Sequence, residues 1–128
     1  MQTSVLLAIG AYCLGNAAFI WGDTALWYET VPGVMGTGPL NLHFARDVGL
    51  VFLTSGGALL WSGWRADRSA AFCGAGWLVC HALYHLWIWA ARGLPGDSIA
   101  LNNLLGIQLP AVLALWAAAT LTRAEGPV

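Results

Sequence analysis

The fold is indicated most directly by residues 69–91, whose sequence SAAFCGAGWLVCHALYHLWIWAA contains no Asp, Glu, Lys or Arg. A helix rises about 1.5 Å per residue, so about 20 apolar residues cross the roughly 30 Å hydrocarbon core of a bilayer. This stretch is therefore long and apolar enough to span a membrane. Two of the three histidines of the chain, His81 and His85, lie within it. Ionisable side chains are costly in hydrocarbon and usually face a bundle interior or a water-filled cavity.

Three further stretches have the same apolar character. The four predicted spans run approximately from Ser4 to Trp27, His43 to Trp64, Ser69 to Ala91 and Ser98 to Thr122. Hydrophobic residues make up 59% of the 128 residues and charged residues only 9%, whereas soluble domains average about 25% charged residues. We therefore predict an all-α fold, an integral membrane four-helix bundle in which residues 1–128 form a single transmembrane domain.

The spans are separated by recognisable turn and cap signals. Residues 31–39, VPGVMGTGP, combine prolines and glycines in a pattern that excludes regular helix. This loop either covers a site or only connects two helices. Asn41 is a suitable N-cap for the second long helix, and Asp97 or Ser98 for the fourth. Pro110 predicts a kink in the fourth helix.

The charges indicate an orientation and exclude one class of partner. Arg65, Arg68 and Arg123 lie on the predicted side that also holds the N-terminus, whereas Arg46 and Arg92 lie on the other side. Cytoplasmic loops carry an excess of basic residues, so we expect a multi-pass protein with both termini in the cytoplasm. The net charge is −1 and the chain has no basic run. Nucleic-acid binding therefore lacks an electrostatic footprint.

The histidines and Asp47 converge in one half of the predicted bundle. His43 and Asp47 are four residues apart, as are His81 and His85, so each pair shares a helix face. At about 1.5 Å per residue, Asp47 lies about 6 Å deeper than His43 in the second helix. By the same rise, His85 and His81 lie roughly 10 Å and 16 Å inside the helix end at Arg92. Both pairs therefore fall in the extracytoplasmic half.

This donor set predicts a metal site. Imidazole nitrogens and carboxylate oxygens are ligands of zinc, copper and iron, and a His-x-x-x-His element can present two nitrogens from one helix. The predicted ligands of a transition metal are His43, Asp47, His81 and His85. The residues expected to orient these ligands by hydrogen bonds are Glu29, Tyr84 and Asn103.

Other functions remain open at this point. The chain could be an accessory or assembly subunit of a larger membrane complex, or a homo-oligomer, whose polar residues only specify helix packing. Haem binding is less favoured, because its iron needs axial ligands at matching depth and His43 lies too near the surface to face His81 or His85. A proton relay would require polar groups in both halves of the bundle, and the cytoplasmic half offers almost none beyond Gln108. No sequence element identifies an enzymatic reaction.

Two histidine-containing segments of the chain resemble sequence elements of a known group of membrane proteins. Residues 41–49, NLHFARDVG, and residues 81–85, HALYH, resemble a group of bacterial four-helix membrane proteins with NxHFxxD(I/V)G and HAxxH elements. In size and layout the chain is also similar, more loosely, to the DoxX-like small membrane proteins. The resemblance implies a bacterial inner-membrane bundle and singles out His43, Asp47, His81 and His85, but it implies no activity. A carboxylate that often follows the second histidine of the group is replaced here by Ile88.

Overall fold

The computed structural model describes residues 1–122, and among these it contains helices and no strands. The α-helices are α1 Gln2–Gly22, α2 Thr24–Thr30, α3 Leu42–Arg65, α4 Arg68–Ala91, α5 Ser98–Asn103 and α6 Leu109–Thr120. A 3₁₀ turn at Met35–Thr37 lies in the loop before α3, and a π-helical segment at Leu104–Gln108 joins α5 to α6. The all-helical prediction is confirmed. Arg123, which entered the prediction of orientation, lies outside the described residues.

Side-chain caps fix where α3 begins and where the helical segment that contains α5 and α6 begins. The Asn41 carboxamide oxygen accepts a hydrogen bond of 3.1 Å from the backbone N–H of Phe44, at the start of α3. The Asp97 carboxylate accepts one of 2.8 Å from the N–H of Ala100, at the start of α5. This hydrogen bond and the ion pair with Arg92 hold the pKa of Asp97 below its usual value. Both predicted caps are therefore confirmed.

The first predicted span, from Ser4 to Trp27, is wrong at its end. Helix α1 stops at Gly22, because Asp23 takes an extended conformation with φ −146° and ψ 84°. The Asp23 carboxylate accepts a hydrogen bond of 2.9 Å from the N–H of Leu26 and so caps α2. Aspartate competes with the helix in this way by hydrogen-bonding the nearby backbone, which favours cap positions over helix interiors.

Four long helical segments pack side by side: α1, α3, α4 and the continuous segment Ser98–Thr120, which contains α5, the π-helical segment and α6. Helices α1 and α4 each lie against both α3 and α6. Helices α1 and α3 approach most closely where Gly10 faces Gly56. A Cβ atom on Gly56 would lie 2.9 Å from the Gly10 carbonyl oxygen, and one on Gly10 would lie 3.0 Å from the Gly56 oxygen. Small residues at such crossings allow backbones to approach closely. The pairing of these two glycines therefore fixes how α1 and α3 are rotated about their axes.

Within residues 1–122, three continuous helical segments are long and apolar enough to cross a membrane. They are Gln2–Gly22, Arg68–Ala91 and Ser98–Thr120, with mean hydropathy of 1.7, 1.3 and 1.6 over their most apolar windows. Only 28%, 28% and 22% of those windows are buried inside the protein. The predicted span from His43 to Trp64 forms helix α3, but α3 does not reach the same hydropathy, because its first turns carry several charged and polar residues.

The π-helical segment has a clear local cause. Pro110 has no N–H, so it cannot donate to the carbonyl of Gly106 four residues earlier. The Tyr12 hydroxyl of α1 donates a hydrogen bond of 2.8 Å to this Gly106 oxygen instead. Within the wider turn, the N–H of Leu109 donates to the oxygen of Leu104, five residues back. The kink predicted at Pro110 stays a prediction, whereas a π-helical turn is present just before the proline.

Candidate functional site: a histidine pair on helix α4

His81 and His85 lie on adjacent turns of α4 with their rings in contact. The ring centroids are 4.5 Å apart and the ring planes are inclined by 64°. This contact follows from the four-residue spacing, which places both side chains on one face of the helix. Both residues are half-buried. The predicted pairing of the two histidines is thus present in the structure.

Aromatic rings continue the row of histidines along the same face. The indole of Trp77 stacks on His81, with centroids 4.7 Å apart and an interplanar angle of 14°. Phe52 of α3 meets Trp77 edge-on at 4.8 Å. This contact places the Trp77 end of the row against helix α3. The Trp77 indole therefore covers one face of the His81 ring.

One ring nitrogen of the pair, Nδ1 of His85, is buried and has no hydrogen-bond partner among the described residues. A buried polar atom without a partner is costly, and such atoms in folded proteins call for a specific explanation. No hydrogen bond within residues 1–122 therefore fixes the tautomer of His85 at Nδ1.

His43 and Asp47 form a separate, outward pair. Nε2 of His43 lies 3.4 Å from Oδ2 of Asp47, but their side chains are 90% and 56% exposed. Within residues 1–122, no group of three or more His, Cys, Asp or Glu side chains is arranged to hold a metal ion. The structure therefore presents the four predicted ligands as two pairs, and it does not bring them together as one complete ligand shell.

The residues expected to orient the ligands are also dispersed. The Tyr84 ring lies 6.0 Å from that of His85 and stacks on Trp87 at 5.9 Å, so Tyr84 adjoins the pair. Glu29 is exposed in the short helix α2. Asn103 is 8% exposed and lines a different cavity, described below. Of the three, only Tyr84 lies beside the histidine pair.

The loop of residues 31–39 packs over one end of the helices. The Tyr28 hydroxyl donates a hydrogen bond of 2.6 Å to the Gly38 carbonyl, which folds the loop back on α2. Gly33 has a φ of +92°, and a Cβ atom there would lie 3.0 Å from Cγ2 of Ile99 in α5. The loop therefore reaches across to α5, as a covering segment does. Within residues 1–122, neither of these contacts reaches a histidine pair, so the covering of a site by the loop stays a prediction.

A cavity that sequence reasoning missed lies between the end of α4 and the α5–π segment. Its volume is about 520 Å³. Its lining residues are Leu86, Trp89, Gly96, Asp97, Ser98, Ala100, Leu101, Asn103, Leu104 and Gln108. Asn103 and Gln108 were recognisable as polar residues in an apolar helix. Their five-residue spacing, however, predicts different faces of an α-helix, and only the π-helical turn brings both to one cavity.

Comparison with protein-family models, curated proteins and solved structures gives no match. The resemblance to bacterial four-helix membrane proteins therefore stays a prediction, and function must be argued from the geometry of this chain.

Proposed function

We propose that the chain is a multi-pass membrane protein in which the four long helical segments form a transmembrane four-helix bundle. The support is that the three most apolar helical segments are mostly not buried inside the protein. The most apolar helices bury less than a third of their residues, so most of their residues remain partly or fully exposed. In water such a surface would be strongly unfavourable, whereas lipid solvates it. Helix α3, less apolar than the others, crosses the bilayer as the partner of α1 and α4.

The proposed location is a bacterial inner membrane, with both termini in the cytoplasm. Exposed Trp61 and Trp64 at the end of α3 support an interface at that level, since amphipathic aromatic rings concentrate at membrane surfaces. The guanidinium of Arg65 lies over both rings, at 5.4 and 5.2 Å from their centroids. This cluster suits the headgroup layer on the side to which the basic residues assign the cytoplasm.

Within this bundle we propose that His81 and His85 bind a transition metal: zinc, copper or iron. The observation that carries the proposal is the contact of two half-buried imidazoles on one apolar helix face. Two neutral imidazoles are suitable ligands for these metals, and membrane histidines are functional candidates by default. Because the pair supplies only two ligands, the remaining positions belong to water, an external ligand or a second protein chain.

Metal analysis of the purified protein tests this proposal. We expect one zinc, copper or iron per chain in protein purified in detergent without chelator, or after reconstitution. The double variant His81→Ala, His85→Ala should lose the metal. The double variant His43→Ala, Asp47→Ala is the matched control and should retain it, because that pair is outward and separate. Wild-type protein that stays metal-free after reconstitution would contradict metal binding, and a Soret band would indicate haem instead.

A second candidate is an accessory subunit of a larger membrane complex. The observation that favours it is the exposure of His43 and Asp47, which present polar groups outward at the start of an apolar helix. A partner helix could satisfy them. Native gel electrophoresis of gently solubilised membranes distinguishes this candidate. A defined high-mass complex lost in His43→Ala, Asp47→Ala supports it, and migration as an unaltered free protein in both forms contradicts it.

A further inference from the structure

The cavity at the α5–π segment differs in character from the histidine site. Neither His81 nor His85 lines it, so an inference from the cavity does not depend on metal binding. Its volume of about 520 Å³ falls within the roughly 300–1,000 Å³ typical of small-molecule sites. Leucine side chains and the Trp89 indole make most of its wall. The Trp89 N–H donates a hydrogen bond of 2.9 Å to the Pro95 carbonyl, which holds the ring in place.

The π-helical turn gives this cavity its polar groups. In an α-helix, residues five apart do not share a face, whereas the i to i+5 hydrogen bond of a π-turn brings such residues one above the other. Asn103 and Gln108 are five apart, and both line the cavity. The Oε1 atom of Gln108 is buried and has no hydrogen-bond partner among residues 1–122. Two carboxamides, one of them incompletely satisfied, thus stand in a wall that is mostly apolar and whose other polar side chains are Asp97 and Ser98.

The charges at the cavity narrow the class of ligand. None of its lining residues in the described chain is basic, and its one acidic member, Asp97, is already paired with Arg92 and with the N–H of Ala100. An anionic head would meet a carboxylate, and a cationic head would have to displace an arginine. A carboxamide both donates and accepts hydrogen bonds, which suits a hydroxyl group.

We propose that this cavity binds a single-chain neutral amphiphile, an alkyl chain that ends in an uncharged hydroxyl group. The leucines and Trp89 hold the chain, and the carboxamides of Asn103 and Gln108 hydrogen-bond the hydroxyl. Rotation of the Gln108 carboxamide about its terminal bond exchanges its oxygen and nitrogen, so either can face the ligand. Sparse polar groups in an apolar wall are the usual means by which such a site fixes orientation.

Photolabelling of the full-length protein in detergent tests the proposal. The probe is decanol bearing a diazirine on its chain, and the labelled residues are located by peptide mass spectrometry. We expect labelling at Leu86, Leu101 and Leu104. Unlabelled decanol should suppress it at roughly 10-fold lower concentration than decane or decanoate, as expected when one hydrogen bond distinguishes the ligands. Uniform labelling of all apolar helix faces, or equal competition by all three molecules, would overturn the proposal. Stronger competition by decanoate would show an anion site instead.

Three variants separate the role of the cavity from folding. Gln108→Leu should retain labelling but reduce the preference for decanol over decane to below about threefold, because it removes a hydrogen-bonding group. Leu104→Trp fills the cavity and should abolish labelling there. Leu105→Trp is its matched control, since Leu105 lies on the same π-helical segment but does not line the cavity. Equal labelling of both tryptophan variants, each with an unchanged helical circular-dichroism spectrum, would refute the assignment.

Discussion

The hydrogen bond from Tyr12 to Gly106 offers a sharp test of how the helices are held together. The Gly106 carbonyl lacks its helical donor because residue 110 is proline, and the Tyr12 hydroxyl supplies the missing hydrogen bond at 2.8 Å across the α1–α6 contact. Tyr12→Phe removes one oxygen and keeps the ring. The partly exposed carbonyl is then left without a donor, within the bilayer that we propose surrounds these helices.

The expected cost follows from two measured ranges. Leaving a buried acceptor unsatisfied costs about 1–3 kcal/mol in soluble proteins, and interhelical hydrogen bonds in membranes contribute about 0.6 kcal/mol on average and at most about 1.7. We therefore expect Tyr12→Phe to lower the free energy of unfolding by about 1–2 kcal/mol. Pro110→Ala restores an N–H that can satisfy Gly106 within the helix. In the Pro110→Ala variant, Tyr12→Phe should therefore lower the free energy of unfolding by less than about 0.5 kcal/mol.

Equilibrium unfolding in mixed micelles, with SDS as denaturant and helicity as the signal, measures both values. Tyr84→Phe is the control for loss of a tyrosine hydroxyl, because the Tyr84 side chain is 56% exposed and its hydroxyl makes no hydrogen bond within residues 1–122. The double-mutant cycle decides the interpretation. If Tyr12→Phe destabilises the protein equally with Pro110 and with alanine at position 110, the hydroxyl does not compensate for the proline, and the explanation of the π-helical turn fails.

Three further changes test other parts of the structure. Gly56→Ala should destabilise the protein by about 1–3 kcal/mol in the same unfolding assay, because its Cβ would lie 2.9 Å from the Gly10 oxygen, whereas Gly57→Ala meets open space and should be neutral or stabilising. The pKa of Asp97 is lower in the folded protein than in the unfolded chain, where it lies near 3.9. The ionised carboxylate therefore stabilises the fold above that pH, and this stabilisation is lost as the pH falls through the folded pKa. Below about pH 4 the melting temperature of the wild type should therefore drop more than that of Asp97→Asn. Asn41→Ala removes the cap of α3 and should cost about 1 kcal/mol, measured by unfolding, and an unchanged stability would contradict the capping role.

The elements of the fold that depend on local chemistry could be read from the sequence. Asn41 and Asp97 are strong cap residues next to apolar runs, and the prolines and glycines of residues 31–39 exclude helix, so these boundaries were predictable. The break at Asp23 was not recognised, because the apolar run continues past it to Trp27. The same preference of aspartate for cap positions could have indicated it.

The candidate site could be predicted only in part, for a geometric reason. A four-residue spacing shows that His81 and His85 share a face of α4, and it shows the same for His43 and Asp47 of α3. It does not show which face turns inward. That rotation is set by contacts between helices, such as the close approach of Gly56 to α1, and it leaves His43 outward. Location in the same half of the predicted bundle therefore does not imply a shared pocket.

The cavity could not be predicted because it depends on a departure from α-helical geometry. Pro110 indicated an irregular helix but not its kind. The Gly106 carbonyl of this turn also accepts a hydrogen bond from Tyr12 of α1, ninety-four residues away in the sequence. Without that turn, Asn103 and Gln108 would have been assigned to different faces. Long-range packing thus decides which polar residues meet.

The central claim is that His81 and His85 together bind a transition metal. X-ray absorption spectroscopy of protein loaded with one equivalent of zinc or copper tests it most directly. We predict scattering from two imidazole nitrogens at about 2.0–2.1 Å, reduced to one imidazole in His85→Ala and unchanged in His43→Ala. A spectrum without imidazole scattering, or one that loses an imidazole in His43→Ala and not in His85→Ala, would contradict the claim.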